Sequence, residues 1–184
     1  MASIFASFRY NLSRLARFAG RDSKSQFWPW AIFVLVTAYG AAFCVTGWAM
    51  METVTVSMRV HEGELPESAA VEATAALGWL WQPLGLIAAI AIGLLAASVA
   101  RRLHDRGRKG AWGLLPLPFL ALSIAGTPVG FRFASGQGEI SALETSLFVC
   151  SPLFYLALAG LLYLLAGSGE PQGNRFGPPP RERP

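Results

Sequence analysis

Four long stretches of this chain carry no Asp, Glu, Lys, Arg or His, and that spacing constrains its fold more than any motif does. The first lies between Lys24 and Glu52; its core, Phe27 to Met51, reaches about 37 Å as a helix, enough to cross a bilayer's hydrocarbon layer with some tilt. Residues 73–100, 111–131 and 145–169 meet the same length criterion. The windows predict an all-α membrane protein, a four-transmembrane-helix bundle forming one domain over residues 1–184. Pro116, Pro118 and Pro128 each remove a helix donor, so the third span is expected to be short or kinked. Composition points the same way. Only 14% of residues are charged and 53% are hydrophobic, whereas a globular chain is about a quarter charged. A disordered region, a nucleic-acid-binding arm and an ordinary soluble enzyme are all disfavoured.

The positions of the charges predict an orientation. The leader 1–26 holds Arg9, Arg14, Arg17, Arg21 and Lys24 against Asp22, and loop 101–110 holds Arg101, Arg102, Arg106, Arg108 and Lys109 against Asp105. Loops 52–72 and 132–144 hold one basic residue each, Arg59 and Arg132, and the tail 170–184 holds three. By the positive-inside rule both termini and loop 101–110 are cytoplasmic. The expected location is the bacterial inner (plasma) membrane, multi-pass, N-in and C-in. Trp28, Trp30 and Trp112 fall at the inner edge and Trp48, Trp79 and Trp81 at the outer one, as an aromatic belt requires.

Outside the spans, Ile4, Phe5, Phe8, Leu12, Leu15 and Ala19 recur at helical spacing with Arg14 and Arg17 opposite. This predicts an interfacial amphipathic helix over residues 3–22 and not a cleaved signal peptide. In the outer loop, Val54, Val56, Met58 and Val60 alternate, which predicts a short strand ended by Gly63 and Pro66, with a helical pattern resuming at Ser68. The tail, with Pro171, Gly173 and Pro178 to Pro180, is too rich in breakers to form a domain.

Gly85, Ala89, Gly93 and Ala97 recur every four residues in the second span, the spacing that lets membrane helices approach closely within one chain or in a homo-oligomer. The densest chemistry is in Ala100 to Trp112. There Arg101 and Asp105 are spaced for an ion pair, Gly107 ends the helix and Gly110 permits the reversal. Arg102 and Arg106 repeat the four-residue spacing with like charge, which favours an anion between them. The expected partners are membrane lipids with anionic headgroups at the cytosolic face, or a partner protein, and no nucleic acid. An alternative makes His104 and Asp105 the acid and base of a membrane enzyme acting on a lipid-linked substrate. No nucleophile or oxyanion donor accompanies them. A second alternative is a small channel or transport accessory subunit, weakened by the lack of ionisable groups at membrane depth. His61 is expected on the opposite side from His104, and Cys44 and Cys150 read as small buried hydrophobes, so no metal or cofactor is implied.

Three segments together resemble a known family, the small bacterial membrane proteins grouped as domain of unknown function 805. They are F-A-G-R-D-S-K-S-Q-F-W-P-W from Phe18 to Trp30, A-R-R-L-H-D-R-G-R-K-G-A-W from Ala100 to Trp112, and G-N-R-F-G-P-P-P from Gly173 to Pro180. Arg106, Lys109, Ala111 and Gln26 depart from the family's usual residues and make the inner face more basic. The resemblance implies a small multi-span inner-membrane protein with no established activity. The expected topology puts all three segments on one cytosolic face. A composite site is therefore expected from Gly20, Arg21 and Trp28, the hairpin residues Arg101, Arg102, His104, Asp105, Arg106, Gly107, Arg108 and Gly110, and the tail residues Asn174, Arg175, Gly177 and Pro178.

Overall fold

The structure, a computed structural model, describes residues 4–126 and 142–180. Among the described residues six α-helices follow in order: α1 Ile4–Leu12, α2 Lys24–His61, α3 Glu67–Ala76, α4 Trp81–Asp105, α5 Leu117–Ala125 and α6 Ala142–Ala166. Short 3-10 turns at Leu77–Leu80 and Gly110–Leu114 lead into α4 and towards α5. Among the described residues there is no strand, only an isolated bridge between Asn174 and Gly177.

Two stretches, Lys24–His61 and Glu67–Asp105, are long and apolar enough to cross a membrane by length and composition. Their most apolar windows are each only 17% buried. A core helix of a soluble domain hides its apolar face against neighbours. Here Val36, Phe43, Leu86 and Ile90 all face outward, more exposed apolar surface than soluble monomers usually tolerate.

The period-2 valines do not make a strand; α2 runs through them to His61. Once a helix is nucleated in the preceding apolar run, adding residues is cheap, and nothing breaks it before Gly63. Along this stretch Thr53, Thr55 and Ser57 return their hydroxyls to the carbonyls of Ala49, Met51 and Thr53. Gly63, at φ +78°, then ends α2. Its N–H bonds to Val60 O at 3.0 Å and that of Glu64 bonds to Arg59 O at 2.9 Å, the paired closure of a Schellman motif.

The third window is broken, as its prolines require: a 3-10 turn ends at Leu114 and the nine-residue α5 starts at Leu117. Residues 127–141, with Pro128 and most of loop 132–144, lie outside the described residues. The leader helix α1 stops at Leu12, well short of residue 22, and turns follow to Ala16.

The chain divides into two compact units. One comprises Tyr39–Ile87 and Phe119–Phe154; in it Ala49, Leu77 and Leu80 form a buried cluster flanked by Val45 and Leu84, and the Trp48 and Trp79 rings meet edge to face at 6.3 Å. The other comprises Met1–Ala38, Ala88–Pro118 and Tyr155–Pro184. In this second unit the start of α2, the end of α4 and the end of α6 pack through Phe27, Ala31, Leu103, Leu161 and Leu165. Trp30 anchors α2 to α4 by donating its indole N–H to Leu94 O at 3.1 Å.

Of the small residues in the second span, Ala97 is buried and Gly85 lies close to Ile124, whereas Ala89 and Gly93 are exposed. Cys44 is a free, exposed cysteine on α2, and the Cys150 side chain lies outside the described residues.

Candidate functional site

Beside the apolar cluster of the second unit lies a group of buried charges. Arg21, Asp22, Arg101, Arg102 and Asp105 are all nearly inaccessible. The leader contributes an Arg-Asp pair at 21–22, and the last turn of α4 contributes Arg101 and Asp105 on one face. They pair crosswise. Arg21 meets Asp105 at 2.9 Å, and Arg101 meets Asp22 at 2.8 Å. The ion pair expected between Arg101 and Asp105 themselves does not form. An exposed pair four residues apart is worth only a few tenths of a kcal/mol, whereas each partner here gains a buried counter-charge together with further hydrogen bonds.

Burying three guanidinium groups against two carboxylates leaves excess positive charge, and the backbone absorbs it. Arg101 donates to Arg14 O at 3.0 Å, to Arg17 O and to Asn11 Oδ1 at 3.0 Å. Arg102 pairs with Asp105 and donates to Leu165 O at 3.0 Å and Gly167 O at 2.6 Å. Arg106 donates to Tyr163 O at 3.1 Å and Leu164 O at 2.6 Å. The last carbonyls of α6 have no partner within the helix and carry the negative end of its dipole. They occupy the place between Arg102 and Arg106 that the sequence reading assigned to an anion. Among the described residues no buried side-chain polar atom lacks a partner.

The leader completes the cluster with residues that sequence reasoning did not single out. Tyr10 donates its hydroxyl to Asp22 Oδ1 at 2.8 Å and accepts from Arg14 at 2.8 Å. Ser7 and Asn11 both bond Gln26 O, at 2.7 and 2.9 Å. Burial pushes the Asp22 carboxyl above its usual range, with Arg101 pulling it down, and burial beside Asp22 likewise raises the Tyr10 hydroxyl. One signal was available: Asp22 is the only acid of the leader and Asp105 the only acid of loop 101–110. A lone carboxylate in a basic segment marks where that segment is tied down.

The hairpin and tail close the arrangement. Gly107, at φ +64°, ends α4 with its N–H on His104 O at 3.0 Å and that of Arg108 on Leu103 O at 2.9 Å. Gly110 sits so tightly that a Cβ there would lie 3.0 Å from the Ala100 methyl. His104 approaches Gly20 O at 3.3 Å through Nδ1, and its ring stacks on Phe176 with centroids 3.9 Å apart. Asn174 donates to His104 O at 2.9 Å and Arg175 to Gly107 O at 3.1 Å. Arg21 donates to Gln172 O at 2.8 Å and Gly177 O at 3.3 Å.

The structure thus brings together Gly20, Arg21, Arg101, Arg102, His104, Asp105, Arg106, Gly107, Gly110, Asn174, Arg175 and Gly177. Trp28 packs against the Phe27–Leu165 cluster instead. Arg108 and Pro178 are exposed and contribute no side-chain hydrogen bond among the described residues. The geometry does not suit His104 and Asp105 to acid and base work: both Asp105 oxygens are taken by Arg21 and Arg102, and the imidazole is stacked and turned to a backbone carbonyl. Among the described residues no group of three or more His, Cys, Asp or Glu is placed to hold a metal ion.

A comparison with protein families matches residues 15–178 to the family described as Protein of unknown function (DUF805). Comparison with curated proteins and with solved structures gives no match.

Proposed function

This chain belongs to the DUF805 family, and we propose that it is a non-enzymatic, four-span protein of the bacterial inner membrane, both termini cytosolic, whose basic face engages anionic lipid headgroups. Support for four spans comes from the uncharged windows and the alternation of basic residues between loops. The lipid reading rests on a division among the basic residues. Arg21, Arg101 and Arg102 are consumed inside the fold, so they are not the ligand-binding groups. Arg9, Arg17, Lys24, Arg108 and Lys109 are exposed and make no side-chain hydrogen bond among the described residues.

The observation that carries the proposal is the run from Arg108 to Leu115. Two cations there, without a side-chain partner among the described residues, lead directly into exposed Trp112, Leu114 and Leu115. Cations followed by exposed aromatic and aliphatic groups are what a headgroup layer over acyl chains selects. The leader supports it: α1 turns its polar Ser7 and Asn11 into the protein and leaves Phe5 85% exposed.

The test is Arg108→Ala with Lys109→Ala, purified from native membranes with lipid quantified by mass spectrometry. We expect bound anionic lipid to fall at least about tenfold with the melting temperature unchanged. Unchanged lipid content in the folded double variant would overturn the proposal.

A further inference from the structure

The tail lies on the hairpin as a peptide lies in a binding site, and we propose that Arg21, His104, Asp105 and Gly107 form a recognition site for a short Asn-x-Phe-Gly segment, occupied in this chain by its own residues 170–177. This is a site independent of the lipid-facing residues above.

The manner of recognition divides into two parts. The first reads backbone. Arg21 reaches three tail carbonyls, those of Glu170, Gln172 and Gly177, and Asp105 O accepts the Glu170 N–H at 2.8 Å. Such contacts hold any extended chain and carry no sequence information. The second part reads side chains. Asn174 bonds His104 O through Nδ2, while its Oδ1 accepts the Phe176 N–H at 2.9 Å and so shapes the turn. Phe176 lies flat on the imidazole, the two planes 9° apart. Gly177, at φ +127°, lets the turn close through its two backbone bonds with Asn174; other residues rarely adopt that conformation.

The bound segment is not held by a core of its own. Residues 170–173 and Arg175 are exposed, and the segment contains Pro171 and Gly173. Its conformation is therefore supplied by the platform. The ion pairs beneath the tail do not depend on it in return, because Asp105 also bonds Arg102 and Arg101 pairs with Asp22; Arg21 keeps Asp105 and gives up only its tail carbonyls, to a competing segment or to water. A preformed surface under a dependent segment is the arrangement of a peptide site with a tethered ligand. Tethering makes the local concentration high, so a free peptide of the same motif competes only when the tether's own contacts are weakened. His104 reports occupancy, since the Phe176 ring covers one of its faces.

The experiment uses the full chain in detergent micelles and follows carbethoxylation of histidine by mass spectrometry, with exposed His61 as internal reference. Phe176→Ala should raise the His104 modification rate about fivefold, the scale of one lost aromatic stack, while His61 is unchanged; Phe176→Tyr should keep the parent rate. Adding a free peptide of residues 170–180 to Asn174→Ala/Phe176→Ala should restore protection, and the same peptide carrying Phe176→Ala should not. Equal His104 rates in the parent and Phe176→Ala would overturn the proposal, as would failure of the native peptide to protect at millimolar concentration. If Phe176→Ala alters the His61 rate or the helical signal, Phe176→Leu, which removes the flat ring from the imidazole but keeps apolar bulk, provides the same comparison.

Discussion

Arginine and aspartate appear in this molecule as adjacent letters at 21 and 22 and as a four-residue spacing at 101 and 105, and the structure joins them crosswise. At side-chain exposures of 1% for Arg21 and 4% for Asp105, the pair has no water to fall back on. Removing Arg21 leaves Asp105 Oδ1 without its counter-charge while Arg102 still holds Oδ2, a loss towards the lower end of the about 3–5 kcal/mol of a broken buried pair. Arg21→Ala should therefore lower the melting temperature far more than Lys24→Ala, three residues away and exposed. Thermal unfolding in detergent would read this, and equal shifts would mean that the pair contributes little. Arg101→Lys should be nearly as damaging as Arg101→Ala. A single ammonium cannot reach the Asp22 carboxylate, the Asn11 side chain and the Arg14 and Arg17 carbonyls in the directions that the fork serves. The sequence showed these residues to be concentrated and did not show how they pair. Spacing along one helix made Arg101 and Asp105 partners, but burial rewards counter-charges from other segments, and those are invisible to a local pattern.

Helix ends explain both what the sequence told and what it concealed at the scale of elements. Gly107 and Gly63 each end a helix through the same pair of backbone bonds, and a glycine after an apolar run was a readable stop in the first case. In the second, the valines ahead of Gly63 alternated like a strand and masked the helix entering from the membrane window. The breaks in the third window followed from Pro116 and Pro118, and the early end of α1 had no such marker. Gly107 and Gly169 make opposite demands. A Cβ at Gly107 would meet the carboxylate of Glu170, an exposed side chain able to swing aside, so Gly107→Ala suffers mainly from its positive φ, about 1 kcal/mol. A Cβ at Gly169 would collide with Asp105 Oδ2, which Arg21 and Arg102 hold in place. Gly169→Ala should thus be the more destabilising, although no positive φ is involved there. Comparing the two melting temperatures checks it, and the reverse order would show that the Asp105 carboxylate yields easily.

For the whole molecule, the charge alternation and the ion pairs bear on the same question from different directions. Arg21 and Asp105 touch, so the chain between them must leave and return to one side, and in the proposed topology the two long apolar helices that separate them supply two crossings. Arg21 also touches the tail at Gln172, which requires an even number of crossings between residues 105 and 172. The third and fourth uncharged windows supply that number in the same topology. A chain whose third window dips in and out is the rival arrangement, because three prolines weaken that span and, among the described residues, its only α-helix is nine residues long; the tail contact would then require that α6 not cross either. Single cysteines decide between these arrangements. With Cys44 and Cys150 replaced by serine, Glu64→Cys and Ser135→Cys should react with a membrane-impermeant maleimide on intact cells, and Arg108→Cys only after the membrane is opened. Labelling at 64 but not at 135 would mean that the third window does not cross, and the four-span topology would fall while the crosswise pairing of leader and hairpin stood.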